Sequence, residues 1–370
     1  MRIIVWDTLY QSSLDQIEIS ISDVGVTNFE DIKKLYQSYK FGTSGTYEYY
    51  LTNSNTNVLE IISNSALLQN MWAQENLGTS LHTAFWENSL FVKDKIVLYK
   101  IFSKLRHFHW VLLKQIEFYR PDVLLIKDIH YYPLELLSRI RNMGTKLVGF
   151  ISSVQRNDID LTCFDLLVSS VPSILQAANI AGVQNFQMFP SFDARNLEYI
   201  SSKGRDIDCS FVGSLHTSSI DMLLAAQKVF ANLRIYSPST DFSKLPSLLR
   251  ANYAGQAFGR DMYKVFGRSQ ITLNRHGLDS KNFSGNNRLF EATGMGACTL
   301  TEDTPLLSDL FPNNAIASYR SLGHMQEVLS ELKGKPISVR SISKCGQDFT
   351  LLKHDTRTRM EELRIRITNL

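Results

Sequence analysis

Short apolar runs of β-forming residues alternate with longer stretches of helical spacing, and the alternation occurs twice along the 370 residues. A nearly unbroken apolar strand has no face to give to water, so it must be covered on both sides. The usual solution is a parallel sheet with helices above and below. The first series is Arg2–Trp6 (RIIVW), Asn57–Ile62 (NVLEII), Asp122–Ile126 (DVLLI), Lys146–Ile151 (KLVGFI), Leu166–Val168 and Asn185–Met188. Between them, Pro133–Met143 and Pro172–Ala181 have helical spacing and open on a proline, which suits a first helical turn. The second series is Cys209–Val212, Leu233–Tyr236, Gln270–Asn274 and Ala297–Thr301. The polar stretch Glu198–Asp208, which contains Gly204, is the expected linker. The pattern predicts an α/β chain of two Rossmann-like, doubly wound domains, 1–200 and 205–350. A charged helix over 351–370 is expected to follow them. At roughly 150 residues per domain, the length agrees.

Composition narrows the function. Lys+Arg number 39 and Asp+Glu 36, a formal charge of +3, without the concentrated basic face of a nucleic-acid binder. Nucleic acid is therefore not an expected partner. Cys163, Cys209, Cys298 and Cys345 are far apart, so neither a disulfide framework nor a zinc knuckle is expected. No apolar run approaches the ~20 residues that span a bilayer. The opening MRIIVWD is too short in apolar residues for a signal sequence. A cytoplasmic protein is expected on this reading. Phe102–Arg120 mixes basic and aromatic residues at helical spacing, which suits a core-facing helix or a peripheral contact with the inner face of the membrane.

In open α/β sheets ligands bind beyond the carboxyl ends of the strands. The segment Ile271–Glu302 is the richest in such positions. Its strand delivers Asn274, Arg275 and His276 to the carboxyl end. Ser284, Gly285, Asn286 and Asn287 then read as a capped helix start. Amides at a helix start, with the helix dipole, form an anion site. Gly285 lets a phosphate approach the backbone, and Arg288 would add a charge-assisted bond. Glu291, one turn on, can accept hydrogen bonds from a ribose diol. The alternative is an intrahelical Arg–Glu pair on a capped helix.

The segment NNRLFEATGMGACTLTED resembles the signature of group 1 glycosyltransferases of the CgeB-like (spore maturation protein) branch. So do the loop Phe41–Tyr47 (FGTSGTY), Leu67–Glu75 (LLQNMWAQE), RPDVLLIKDIH, and FVGS at Phe211–Ser214. The resemblance implies a GT-B fold, with two Rossmann domains facing across a cleft and a C-terminal helix crossing back to the first. It implies a nucleotide-sugar donor, UDP- or GDP-linked, on the second domain. The acceptor on the first would be a glycan, a lipid-linked saccharide or a protein. Donor-binding positions are then Gly213, Ser214, Asn274, Arg275, His276, Ser284, Gly285, Asn286, Asn287, Arg288 and Glu291, with Glu291 on the ribose. Many group 1 enzymes carry a second glutamate eight positions earlier, where this chain has Phe283. Asn274, Arg275 and His276 are the candidates to replace it at the donor sugar.

In the first domain Thr43, Ser44 and Gly45 are expected to line the cleft, or else to cap a helix. His130 and Asp128, just past a strand, are the candidate acceptor bases. His216, just after FVGSL, could touch a phosphate, and Asp7, at the end of the first strand, is a comparable candidate. No His, Cys and Asp grouping has metal-ligand spacing, so neither a metal nor a cofactor is expected. The triplet Asp158-Ile159-Asp160 lies in a first-domain loop and reads as solvated. GMGACT at Gly294–Thr299 follows a helix and precedes a strand, the reverse of a dinucleotide fingerprint. No GxxxxGK[ST] occurs. The competing functions are a sugar-nucleotide epimerase on the same fold, and a non-catalytic glycan- or nucleotide-binding assembly factor.

Overall fold

The computed structural model describes residues 1–24, 28–79, 109–152, 160–276 and 285–370. The chain forms two compact units, Met1–Met188 with Met360–Leu370, and Phe189–Arg359.

The first unit is built on a six-stranded parallel sheet of order β2-β1-β3-β4-β5-β6. Its strands are β1 Arg2–Asp7, β2 Asn57–Ile62, β3 Val123–Ile126, β4 Lys146–Ile151, β5 Leu166–Ser169 and β6 Gln184–Gln187. One face packs Ile3, Val5, Val58, Val123, Leu125, Val148, Leu166 and Val168 against Tyr47, Leu51, Met360, Leu363 and Ile367. These sheet residues sit at alternate positions of their strands, as the pleat requires. The helices start where their side chains satisfy the first amides. Asn28 accepts from Asp31 N at 2.9 Å, and Ser65 from Leu68 N at 3.2 Å.

The second unit carries a five-stranded parallel sheet of order β11-β10-β9-β7-β8. Its strands are β7 Ile207–Val212, β8 Arg234–Tyr236, β9 Ser269–Leu273, β10 Cys298–Glu302 and β11 Ala317–Tyr319. The three-residue edge strand β11 was not expected from the apolar pattern.

The division falls between 188 and 189 rather than at 200–205. Phe192 is fully buried in the second unit beside Met262, Tyr263, Phe266 and Ala292. The chain therefore joins that unit directly after β6. The expected linker belongs to the second unit. Within it, Arg205 donates to the carbonyls of Phe266, Ser269 and Met295, each at 2.8 Å. A polar segment is held there because one guanidinium satisfies three carbonyl groups at strand and helix ends.

The charged closing helix read from His354 onward is present, preceded by another long helix. Helix Pro336–Lys353 ends at His354, and a second helix runs Thr356–Thr368. At the break Phe192 N donates to His354 O at 2.8 Å, and Thr356 N to Phe192 O at 3.0 Å. A short bridge thus substitutes for the helical bonds lost there. Beyond it, Met360, Leu363 and Ile367 bury their side chains in the core of the first unit.

Candidate active site

Each sheet has one point at which the strand order reverses, and both points carry residues able to bind or to do chemistry. In the second unit it lies between β7 and β9. Gly213 and Ser214 follow β7, and Asn274, Arg275 and His276 follow β9. Gly213 N donates to Tyr236 O at 3.0 Å, and Ser214 is exposed. The exposed His216 precedes helix Thr217–Gln227.

Asn274 and His276 are buried. Asn274 Nδ2 donates to Thr301 Oγ1 at 2.9 Å, and His276 Nε2 lies 3.0 Å from the same oxygen. The Thr301 hydroxyl, with one donor and two acceptor sites, serves both side chains. Burial pushes the His276 pKa down to about 4. The ring is therefore neutral near pH 7 and braces the loop. His276 N donates to Glu302 Oε2 at 2.9 Å. The Glu302 carboxylate also pairs with Arg275 at 3.6 Å. Asn274 and His276 are thus spent on one another's support through Thr301. Arg275 is the member of the trio with a partly exposed charged end.

Helix Asn287–Gly294 begins where the sequence predicts. Asn286 is its N-cap and accepts from Leu289 N at 3.4 Å. Its Nδ2 donates to Asn274 Oδ1 at 2.9 Å and to Arg275 O at 2.7 Å. The Asn286 side chain is therefore a clip between the helix start and the β9 loop. The first-turn amides of Asn287 and Arg288 have no intrahelical acceptor by helix geometry. Gly285 precedes them; Ser284 and Phe283 lie outside the described residues.

Arg288 pairs with Glu291. The alternative intrahelical pair is present, but it is lopsided. The Glu291 side chain is 5% exposed and that of Arg288 34%. Beneath them, Tyr263 donates its hydroxyl to Glu291 Oε1 at 3.4 Å. Burial, then the Glu291 charge, raises the Tyr263 pKa well above its ordinary value, so the phenol remains a donor. Glu291 is thereby held from below, and the guanidinium above it is partly exposed.

In the first unit the strand order reverses between β1 and β3. Lys127, just past β3, donates to Asp7 Oδ2 at 3.0 Å and to Thr43 Oγ1. Its ammonium stands 5.2 Å from the centre of the Tyr47 ring. Asp7 Oδ1 accepts from Thr8 N at 2.9 Å. Thr8 Oγ1 donates to Asp128 Oδ2 at 3.3 Å, and His130 N to Asp128 Oδ1 at 3.1 Å. Asp128 thus caps the 3-10 turn Ile129–Tyr131 and ties it to β1. Both ring nitrogens of His130 are enclosed without a hydrogen-bond partner.

Within the FGTSG loop only Thr43 joins this cluster. Ser44 is buried, and its hydroxyl has no partner. Gly45 takes φ +74° at the entry of helix Thr46–Leu51, and a Cβ there would stand 3.1 Å from Gln37 Cβ. Its role is the turn itself. Of the DxD triplet, Asp160 caps Leu161–Cys163 through Thr162 N at 2.9 Å, and 158 and 159 lie outside the described residues. The sequence reading passed over Lys127, Glu60, Tyr263 and Thr301.

Residues 219–364, nearly all in the second unit, match a family described as glycosyl transferase-like. No curated protein sequence matches the chain. Several solved structures resemble it over their whole length. Anabaena HepE, crystallised with UDP-glucose, has a TM-score of 0.59 at 9% identity, with 100% of both chains covered. A glycosyltransferase from Rickettsia africae ESF-5 gives 0.56 at 9%, covering 99% of this chain and 98% of that one. Sucrose-phosphate synthase from Thermosynechococcus elongatus gives 0.55 at 10%, covering 100% and 99%. These likenesses fix the architecture as GT-B. Within that architecture, residues 219–364 carry the likeness to the glycosyl transferase-like family.

Proposed function

We propose that the enzyme moves a sugar from a UDP-linked donor to a hydroxyl of a saccharide, lipid-linked or protein acceptor, within the CgeB-like branch of group 1 glycosyltransferases. The observation that carries the donor reading is the helix start at Asn287. It combines first-turn amides, the partly exposed guanidinium of Arg288 and a carboxylate held from below at Glu291. Such a set suits a diphosphate beside a ribose. The UDP and UDP-glucose bound by Anabaena HepE support uridine over guanosine.

In this reading Arg288 and the amides take up charge on the leaving diphosphate, and the Glu291 carboxylate accepts from the ribose hydroxyls. Arg275 and Gly285 border the same place, with Gly213 and Ser214 across the strand-order reversal. Stabilising the leaving group with fixed dipoles and a guanidinium needs no metal. On the first unit, the edge carrying Asp7, Lys127, Thr43, Asp128 and His130 handles the acceptor hydroxyl. Among the described residues no helix is long and apolar enough to cross a membrane. A contact with the inner face of the membrane through helix 109–119 would be peripheral.

The test is a thermal-shift screen against UDP, GDP, CMP and ADP and their sugar conjugates. A ligand at about 100 times its Kd adds about 2.7 kcal/mol to stability. UDP and one UDP-sugar should raise the melting temperature, and Glu291→Gln should abolish the shift. Equal shifts with all four nucleotides, or none with any, would remove the uridine assignment.

A further inference from the structure

Glu60 is a charged residue set inside the buried face of the first sheet, two positions before the strand end. It lies in β2 opposite Val5 of β1, so its side chain shares a face with Val5, Asp7 and Val58. Strand β3 puts Val123, Leu125 and then Lys127 on that same face. An apolar surface therefore ends in a patch of three charged residues, Asp7, Glu60 and Lys127.

Glu60 is 2% exposed. Its Oε1 accepts from Tyr47 N at 3.2 Å, and Oε2 has no partner. The groups facing it are few. Asp7 comes from β1 and Lys127 from the end of β3. Helix Thr46–Leu51 contributes Tyr47 and Glu48. Glu48 accepts from Glu60 N at 3.1 Å and is itself held by Lys33 Nζ at 3.1 Å and Gln37 Nε2 at 3.0 Å. No described cation forms an ion pair with Glu60, because the Lys127 ammonium is bonded to Asp7 and Thr43 instead.

A buried carboxylate without a cation, beside a second carboxylate, is costly, and a neutral carboxyl relieves both penalties. We propose that Glu60 is a positioning residue for the strand-end edge: its uncharged carboxyl leaves the Lys127 ammonium undivided on Asp7 and Thr43. Burial, then the Asp7 charge, pushes the Glu60 pKa up to about 8, against the pull of Lys127. Ionisation would draw Lys127 toward β2 and loosen its hold on Asp7. Transfer should then fail on the alkaline side for a reason seated outside the reacting groups.

The inference rests on the reading of this edge as the acceptor side. The test compares pH–rate profiles of wild type and Glu60→Gln for transfer from the donor identified above. Glutamine mimics the neutral carboxyl. The variant should keep the wild-type rate near pH 7, while the fall of kcat/KM that begins near pH 8 moves up by at least one unit. Superimposable alkaline limbs would overturn the proposal. Carboxyl titration of 13C-glutamate-labelled wild type by NMR decides the matter independently. One buried carboxyl titrating near pH 8 supports it, and every glutamate titrating in the ordinary carboxylate range overturns it. Absence of transfer at any pH would refute the transferase reading, while the titration still decides on Glu60.

Discussion

Replacing Glu60 by glutamine should stabilise the first unit, and the gain should grow with pH. The ordinary carboxyl value is 4.5 and the folded value about 8. Between those two, the folded chain holds a proton that the unfolded chain has released. Stability supplied by the protonated carboxyl is therefore fully present below pH 4.5 and is lost as pH rises toward 8. The slope for one proton is about 1.4 kcal/mol per pH unit. By pH 7 the wild type should have lost about 3 kcal/mol relative to its acid value, and about 5 kcal/mol above pH 8. Glutamine fills the same space and does not titrate, so the variant lacks this slope. Urea unfolding followed by tryptophan fluorescence is well matched to the question. All four tryptophans precede residue 111, and Trp6 and Trp72 are fully buried in the first unit. The signal thus reports on the unit that holds Glu60. The difference between variant and wild type should open from pH 5 to pH 8 and level off above. Curves that run parallel through that window would refute the assignment of a buried neutral carboxyl.

Arg288→Ala should lower transfer by about 2–4 kcal/mol in transition-state stabilisation, the usual cost of removing one electrostatic stabiliser of a leaving group. Steady-state kinetics with a fixed acceptor measure it, and wild-type turnover would exclude Arg288 from that role. Gly294→Ala should destabilise the second unit by about 1–3 kcal/mol, the range for overpacking a filled core. The added Cβ would fall 2.2 Å from Phe192 Cγ. Differential scanning calorimetry checks this, and an unchanged melting temperature would show that Phe192 can move aside.

Ten of the eleven strands among the described residues were legible, most of them because an apolar run covered on both faces leaves a dense local signal. The edge strand β11, three residues long, leaves none. The N-cap at Asn286 was legible too, since a cap bonds within its own turn. Its second task, holding Asn274 and the Arg275 carbonyl, depends on residues 11 and 12 positions away. The fates of Asn274 and His276 were hidden for the same reason: Thr301, 25 residues beyond His276, decides them. The closing helix was legible from His354 onward, but the partner that makes the break before it was not. That partner is Phe192, more than 160 positions earlier in the chain. Glu60 was the exception that could have been found. A glutamate inside NVLEII, at a position where the pleat demands an apolar side chain, is a local contradiction, and such contradictions mark functional sites more often than chance placement does.

The two strand-end sites solve their electrostatics in different ways, and the difference bears on how each works. In the second unit the charge is a pair one helical turn apart, with the carboxylate buried and the guanidinium half out. A guanidinium has five donors in a planar fork, so the pair with Glu291 engages only part of Arg288. Tyr263 holds Glu291 from the other side of that pair. In the first unit a single ammonium is surrounded by Asp7, Thr43, the Tyr47 ring and, beneath, Glu60. Two carboxyl groups and one cation balance only if one carboxyl stays protonated. That site is set by where a proton resides, whereas the helix-start site is set by fixed dipoles and a permanent charge. A change of pH near 8 should therefore act on the first unit's edge and leave nucleotide binding untouched.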